Sequence, residues 1–510
     1  VAPQDRLDFL PEDSESAEKL LKLKERIRQS GLPVVENYPS PEALAKVVRE
    51  DFSELIDRLY PEEEVPDPLD QEAMGHESYA RGKLLAFVQR PAHTAAIDTF
   101  VKEEFTGQGL VVTGESGGGK TALLADWARH WTRAHPEDFV FQHYFGATPQ
   151  SASVPGFLQR LLGELKRRFD LADEIPSEPD EQRDALPLWL AQTTGKGQII
   201  LILDALNQVE GDEPDRHLNF LPRFFPAHVR AVASALSGPA LDALVDRGWA
   251  AHDLPAPDPA ERAKMIETFL GLYRKNLQPD LSRKLLDAPS MANPLFLRTV
   301  LEELRQFGSF ERLPARVGQY LKASSPDELF TLVIRRWQED FDQGKDLVRQ
   351  SLRHLWAARQ GLSETEWLEL LVTEGQALPR QTWMPLLLAM EPHLSQRSGL
   401  FAFGHDFLRQ AVQFEFLPSE EEKQSAHLAL ADYFEAQPEM TLRKASEWPW
   451  QLHAAESWDR LQACLTDKDL FLALSTDKTK WDLTGYWHPL REQGAELGAS
   501  YTRAYERWLE

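Results

Sequence analysis

The sequence predicts a mostly α-helical chain built on an α/β P-loop NTPase core with a parallel sheet. A helical domain, a winged helix and a C-terminal α-helical region follow that core. Three observations predict this. Residues 114–121 read Gly-Glu-Ser-Gly-Gly-Gly-Lys-Thr, a G-x-x-x-x-G-K-[ST] loop set between an apolar run and a helical stretch. From residue 83 to 255, apolar strand-like runs alternate with helical patterns, the arrangement that builds a parallel sheet. Beyond residue 256 strand signals nearly vanish and helical periodicity takes over.

In chain order, residues 1–60 carry two helical patterns. One occupies 16–30, with Leu20, Leu21, Leu23 and Ile27 at near-helical spacing. The other starts at Ser40-Pro41, a cap followed by proline in the first turn, and runs to Leu59. Residues 61–82 read as an acidic linker, because 61–72 hold six acids, three prolines and no base. The α/β core spans 83–255, with strands expected at Leu110–Thr113, Phe139–Tyr144, 199–203 and 229–235 and helices at 120–135 and Val154–Phe169. A helical domain follows over 256–325, with amphipathic helices at 258–275 and 294–307. Residues 326–418, with helices at 327–341 and 346–359 and a β-like piece at 399–403, read as a winged helix; the competing reading is a further helical bundle with an apolar loop. Residues 419–510 are helical in pattern and Trp-rich, the start of a possible repeat array, although no clean internal repeat occurs.

The chain of 510 residues is 42% hydrophobic and 27% charged, a globular composition with room for several domains. Lys plus Arg number 56 and Asp plus Glu 81, a net charge of −25. Such a chain repels a phosphate backbone at long range, so nucleic acid is not an expected partner. Apolar runs such as 199–203 are far too short to cross a bilayer, so no membrane partner is expected. The single cysteine, Cys464, excludes an intrachain disulfide and fits a reducing, cytoplasmic compartment. The start at Val1 lacks both a signal-peptide pattern and an initiator Met, so a fragment or processed chain is expected, with sequence missing on one or both sides.

Gly114, Glu115, Ser116, Gly117, Gly118, Gly119, Lys120, Thr121 and Ala122 form the candidate nucleotide-binding loop. Its glycines let successive backbone N–H groups turn toward phosphate oxygens where a Cβ would collide. Lys120 is placed to reach the β- and γ-phosphates, and Thr121 to offer its hydroxyl to Mg2+. The helix starting near Lys120 presents its positive N-terminal end to the same anion. Asp204 follows five apolar residues, which makes it a carboxylate at the C-terminal tip of a buried parallel strand, suited to hold Mg2+ through water. Hydrolysis further needs a group that orients or deprotonates water. Asn207 and Gln208 stand close to Asp204, and an amide positions water but is a very poor base. Gln208 therefore joins Lys120 and Asp204 as a candidate catalytic residue, with Glu210 and Asp212 as possible substitutes, and turnover is expected to be slow.

The loop at 114–121, the strand Leu201-Ile-Leu-Asp204-Ala-Leu-Asn-Gln208 and the turn Ala292-Asn293-Pro294-Leu295-Phe296-Leu297, in that order, resemble a STAND-class signalling NTPase with a NACHT-type module. The resemblance implies that Pro294 lies against the nucleotide base. It also implies that Phe87-Val88-Gln89-Arg90 brackets the adenine, with Val88 and Arg90 as contacts. Ala292 and Gln89 depart from the class, which has glycine at both places. In Phe403-Gly404-His405-Asp406 the resemblance implies that His405 touches the β-phosphate of ADP in a closed state; the plainer reading is a helix cap with a surface histidine. The run Trp448-Pro-Trp-Gln-Leu-His453, with Asp204–Gln208 upstream, is similar to nephrocystin-type and telomerase-associated-protein-type members, which would make 1–60 the helical end of an upstream domain. No arginine follows Ser234, where many members sense the γ-phosphate, so sensing would fall to Ser234, another arginine or a neighbouring subunit.

What the class implies is a switch, using ATP or ADP and Mg2+, that couples ligand sensing to opening and oligomerisation, with a protein trigger or self-association as partner and an immune or antiviral output. The competing function is an AAA+-like ATPase that remodels protein or nucleic acid, which requires a catalytic acid near Asp204. A small-molecule kinase fits the long helical extension poorly, and a vestigial scaffold fits the intact Lys120, Thr121 and Asp204 poorly. His130 and His135 are five apart, off the spacing that places two ligands on one helix face. Cys464 lies in an apolar stripe and reads as core, and Lys166-Arg167-Arg168 reads as a solvated face.

Overall fold

The computed structural model describes residues 13–31, 34, 39–59, 61, 66–103, 107–148, 150–209, 217–309, 311–342, 346–372, 378–397, 399–476 and 480–509. They divide into two compact units, 1–71 and 72–510. The smaller unit holds α1 (Ser14–Arg28), α2 (Pro41–Leu59) and the first turn of α3 (Pro68–Lys83). Side-chain caps start these helices: Asp13 accepts from the Ser16 N–H at 2.7 Å, and the Ser40 hydroxyl accepts from the Ala43 N–H at 3.2 Å. The span 61–82, expected as a linker, is helical from Pro68 onward. Asp67 accepts from the Asp70 N–H at 2.8 Å, and Pro68 opens the first turn. The acids and prolines that read as linker thus include a helix start signal.

The larger unit opens with the sheet and its helices. In order these are α4 (Pro91–Lys102), β1 (Leu110–Thr113), α5 (Lys120–Ala134), β2 (Phe139–Tyr144), α6 (Val154–Phe169), α7 (Pro179–Gln192), β3 (Ile199–Asp204), β4 (Val229–Ser234), α8 (Pro239–Asp246) and β5 (Ala250–Asp253). The five strands are parallel, in the order β2-β3-β4-β1-β5. β3 and β4 are buried at every position, which is why they read as continuous apolar runs. Alternate residues serve opposite faces. Phe141, Leu201 and Ala231 pack with Phe157 and Leu161 of α6, and Val112, Ile200 and Val232 pack with Leu124 and Trp127 of α5. β5 was not foreseen, because Ala-Ala-His-Asp is a partly exposed edge strand without an apolar run.

Next come α9 (Pro259–Leu272), α10 (Pro279–Asp287), α11 (Pro294–Gln306) and α12 (Leu313–Tyr320). After them stand α13 (Pro326–Phe341), α14 (Leu347–Ala357), α15 (Glu364–Leu370), α16 (Arg380–Met390), the antiparallel hairpin β6 (Leu394–Arg397) and β7 (Leu400–Phe403), and α17 (Asp406–Phe416). Leu362 makes a single bridge to Phe401 of the hairpin. These elements share one apolar cluster that runs from Ile266 to Leu430. Inside it, the buried Glu303 of α11 accepts from Arg336 of α13 at 2.7 and 3.0 Å and from the Tyr320 hydroxyl at 2.5 Å. The chain closes with α18 (Glu420–Glu435), α19 (Leu442–Ala454), α20 (Trp458–Leu465), α21 (Lys468–Leu474), α22 (Lys480–Glu492) and α23 (Leu497–Leu509). Their core holds Trp448, Trp487 and Cys464, whose thiol is pushed up by burial. Among the described residues no helix is long and apolar enough to cross a membrane.

Candidate functional site

β1 ends at Thr113, and the chain turns through Gly114, Gly117 and Gly119, all with positive φ, before α5 begins at Lys120. Two of these glycines are required by close approaches. A Cβ on Gly114 would stand 2.7 Å from the Leu254 carbonyl, and one on Gly117 would stand 2.8 Å from Leu295 Cβ and 2.9 Å from Asn293 Oδ1. The first N–H groups of α5 have no partner within the helix and face this loop. The Lys120 ammonium donates to the carbonyls of Gly114 and Glu115 at 2.9 and 2.8 Å. Burial lowers its pKa, and Asp204 and Glu115 oppose that shift.

Asp204 ends β3 and is buried. Its Oδ2 accepts from the Thr121 hydroxyl at 2.8 Å and its Oδ1 from the Ser234 hydroxyl at 2.5 Å. Burial raises its pKa, and these two bonds hold it down. β4 lies between β1 and β3, so Ser234 reaches Asp204 from the adjacent strand end. The Thr121 hydroxyl and the Asp204 carboxylate form a pair of hard oxygen donors beside the loop, a donor set that fits Mg2+. After Ala205, at a φ of 61°, a short turn carries Asn207 and Gln208. Asn207 Oδ1 accepts from the Leu236 N–H at 3.3 Å, and Gln208 lies against Gly146. Glu210 and Asp212 lie outside the described residues.

The loop floors a cavity of about 530 Å³. Ser116, Gly117, Gly118, Gly119, Lys120, Thr121, Ala122, Val88, Arg90, Gln208, Pro294 and His405 all line it, whereas Gly114, the exposed Glu115 and the buried Asp204 do not. Arg90 spends three donors on the protein: Glu261 accepts at 3.1 and 3.3 Å and the Pro255 carbonyl at 2.8 Å. It thereby fastens 87–90 to the start of α9, where Glu261 also completes a capping box with Asp258. Pro294 is the first residue of α11. His405 precedes α17 at the cap position, yet its ring makes no cap hydrogen bond. Burial, then the charges of Lys83, Arg298 and Lys120, push its pKa down to about 3, so the ring is neutral at pH 7.

Several residues in or beside the cavity wall escaped sequence reading. Asn293 caps α11 through Oδ1, accepting from Leu295 and Phe296, while its Nδ2 donates to the Ser116 carbonyl at 2.9 Å. Leu295 N–H adds a bond to the Gly117 carbonyl at 3.2 Å. The cap preference of Asn was a signal for the first role, and nothing local announced the second. Arg298 stands four residues after Pro294, so helical spacing could have found it. Lys83 opens the segment read as the α/β core, Arg359 ends an expected helix, and Arg409 closes the run 403–409. Together with Arg90, Lys120 and Arg298 they make the cavity basic in a chain of net charge −25; among the described lining residues the sole carboxylate is that of Asp406.

Comparison with known proteins finds relatives among repeat proteins. The chain is 27% identical over 560 residues to a TPR repeat-containing protein of Dictyostelium discoideum, covering 97% of this chain and 33% of that protein. It is 23% identical over 581 residues to tetratricopeptide repeat protein 41 of Mus musculus, covering 95% and 43%. It is 23% identical over 422 residues to nephrocystin-3 of Homo sapiens, covering 79% and 31%. The chain thus spans less than half the length of each of these relatives. Among solved structures it is similar to a Signal Transduction ATPase with Numerous Domains with a tetratricopeptide repeat sensor from Pyrococcus horikoshii, at 14% identity and a TM-score of 0.43, covering 82% and 58%. It is also similar to a Walker-type ATPase of Pyrococcus abyssi, at 11% identity and a TM-score of 0.35, covering 64% and 96%. No protein-family model matches the chain.

Proposed function

We propose that the chain is a nucleotide-dependent switch that takes ATP or ADP with Mg2+ into the cavity above residues 116–122. The observation that carries this reading is that one cavity is lined from three stretches far apart in sequence: the glycine loop, Pro294 at the head of α11, and His405 at the head of α17. A nucleotide there touches all three, and any contact made in only one arrangement biases the molecule toward it.

The loop amides and Lys120 hold phosphate oxygens, Val88 and Pro294 flank the base, and the neutral His405 ring donates its one N–H to a β-phosphate oxygen. Thr121 and Asp204 would hold the metal, which when bound neutralises phosphate charge. Gln208 orients water but cannot deprotonate it, so turnover is slow. The motor reading needs a carboxylate base near Asp204, and among the described residues that line the cavity the sole carboxylate is that of Asp406 at the head of α17. Residues 326–418 are read as a winged helix, supported by α14, the Leu362 bridge, α15, α16 and the hairpin in that order. The TPR-named relatives support a protein trigger acting through the helices that follow residue 418. The lone Cys464 supports a cytoplasmic location, and the NACHT-type resemblance supports an immune or antiviral output.

The test is to purify the chain, denature it and chromatograph the supernatant, then to titrate nucleotide with and without Mg2+. ADP or ATP is expected from wild type and neither from Lys120→Ala. Asp204→Ala should lose mainly the Mg2+-dependent part of the affinity. Equal nucleotide affinity of wild type and Lys120→Ala would sink the reading.

A further inference from the structure

Helix α3 brings a second lysine to the phosphate side of the cavity. Tyr79 and Lys83 stand four residues apart on one face of α3, and both line the cavity. The Lys83 ammonium lies over the Tyr79 ring, 4.7 Å from its centroid, and that ring packs on Tyr144 at 5.5 Å. Tyr144 ends β2 in register with Asp204, and the next N–H, that of Phe145, donates to the Asp204 carbonyl at 3.1 Å. The last turn of α3 therefore lies over the strand ends that present Asp204.

The helix is fastened there. The Tyr144 N–H donates to His76 Nδ1 at 3.1 Å, and the Thr148 hydroxyl donates to Glu72. Lys83's charge is felt by both Asp204 and His405. Glu261 holds Arg90 and Asp482 accepts from Arg359 at 3.4 Å, while Lys83, Arg298 and Arg409 line the same cavity.

Resting on the nucleotide reading above, we infer that Lys83 is a ligand of the terminal phosphate of a bound nucleoside triphosphate. The loop and Lys120 hold the inner phosphates. The third phosphate extends past the Thr121–Asp204 pair toward the ends of β2 and β3, where Lys83 meets it as a point charge. α3 then distinguishes a triphosphate from a diphosphate.

The experiment is calorimetric titration of Mg·AMP-PNP and Mg·ADP into wild type, Lys83→Ala, Lys83→Arg and Lys120→Ala, each checked by thermal melting. Lys83→Ala should weaken AMP-PNP about 10- to 100-fold, the worth of one charged hydrogen bond, while ADP stays within about threefold. Lys83→Arg should restore most of the AMP-PNP affinity, which a merely structural role would not do. Lys120→Ala should weaken both ligands. Equal loss for both ligands in Lys83→Ala, or no loss while Lys120→Ala loses both, overturns the assignment of Lys83 and leaves the nucleotide reading intact. Unchanged binding in Lys120→Ala overturns both.

Discussion

In the proposed switch, His405 is the residue on which closure turns. Its pKa is pushed down to about 3 by burial and by neighbouring cations, so in that proposal it meets phosphate as a neutral donor. A hydrogen bond to a charged acceptor contributes about 1.5–3 kcal/mol, so His405→Ala should release ADP roughly 10- to 100-fold faster in stopped flow. His405→Asp should release it faster still, by setting like charges together. Unchanged release in both would leave His405 as a helix-start residue and nothing more. The same shift has a sign in stability. An unfolded histidine takes its proton near pH ~6.5, before the folded one does, so stability is lost as pH falls from about 6.5 toward the folded value. His354, pushed to about 4 by burial, acts in the same direction. Melting temperature should therefore fall on acidification below pH ~6.5, less steeply in His405→Asn than in wild type. At this scale the glycine loop, Thr121 and Asp204 were legible, because each answers a local geometric demand. Lys83, Arg359 and Arg409 were not, because their relevance comes only from chain segments that meet in the fold.

Among elements, the head of α11 has the most to lose. Asn293 caps the helix and holds the Ser116 carbonyl, so one side chain fixes both the helix start and its distance from the loop. Asn293→Ala should cost about 1 kcal/mol from the cap alone, read as a lower midpoint in urea. Gly117→Ala should act on the junction more than on the fold. Its new Cβ would stand 2.8 Å from Leu295 Cβ at a φ of +75°, so α11 must back away from the loop. Faster hydrogen exchange at 293–297 with little change in the sheet would bear this out; unchanged exchange there would show that the contact carries no closure. The strands β1–β4 and helices such as α6 were legible through periodicity, since burial writes itself into apolar runs. β5 was hidden by its edge position and α3 by acids and prolines that serve as its own start.

At the scale of the whole molecule, the cavity wall is tied to the C-terminal helices. The buried Glu447 of α19 accepts from the backbone N–H groups of Arg359 and Gln360 at 3.2 and 3.0 Å, from Arg443 at 2.7 Å and from Gln451 at 2.8 Å. Arg359 in turn reaches the Tyr486 hydroxyl on α22 at 3.4 Å. Removing one partner from a buried charged network costs about 3–5 kcal/mol, so Glu447→Ala should lower stability by that order, measured by urea unfolding. Glu447→Gln, which keeps an acceptor, should cost less. None of this network was legible, because its bonded members lie 4 to 127 residues apart and only packing unites them. The claim that one nucleotide draws three stretches together is tested most directly by hydrogen exchange with and without ADP. Protection is expected together at 114–122, 293–297 and 403–409 in wild type, and at none of them in Lys120→Ala. Protection confined to 114–122 would contradict it.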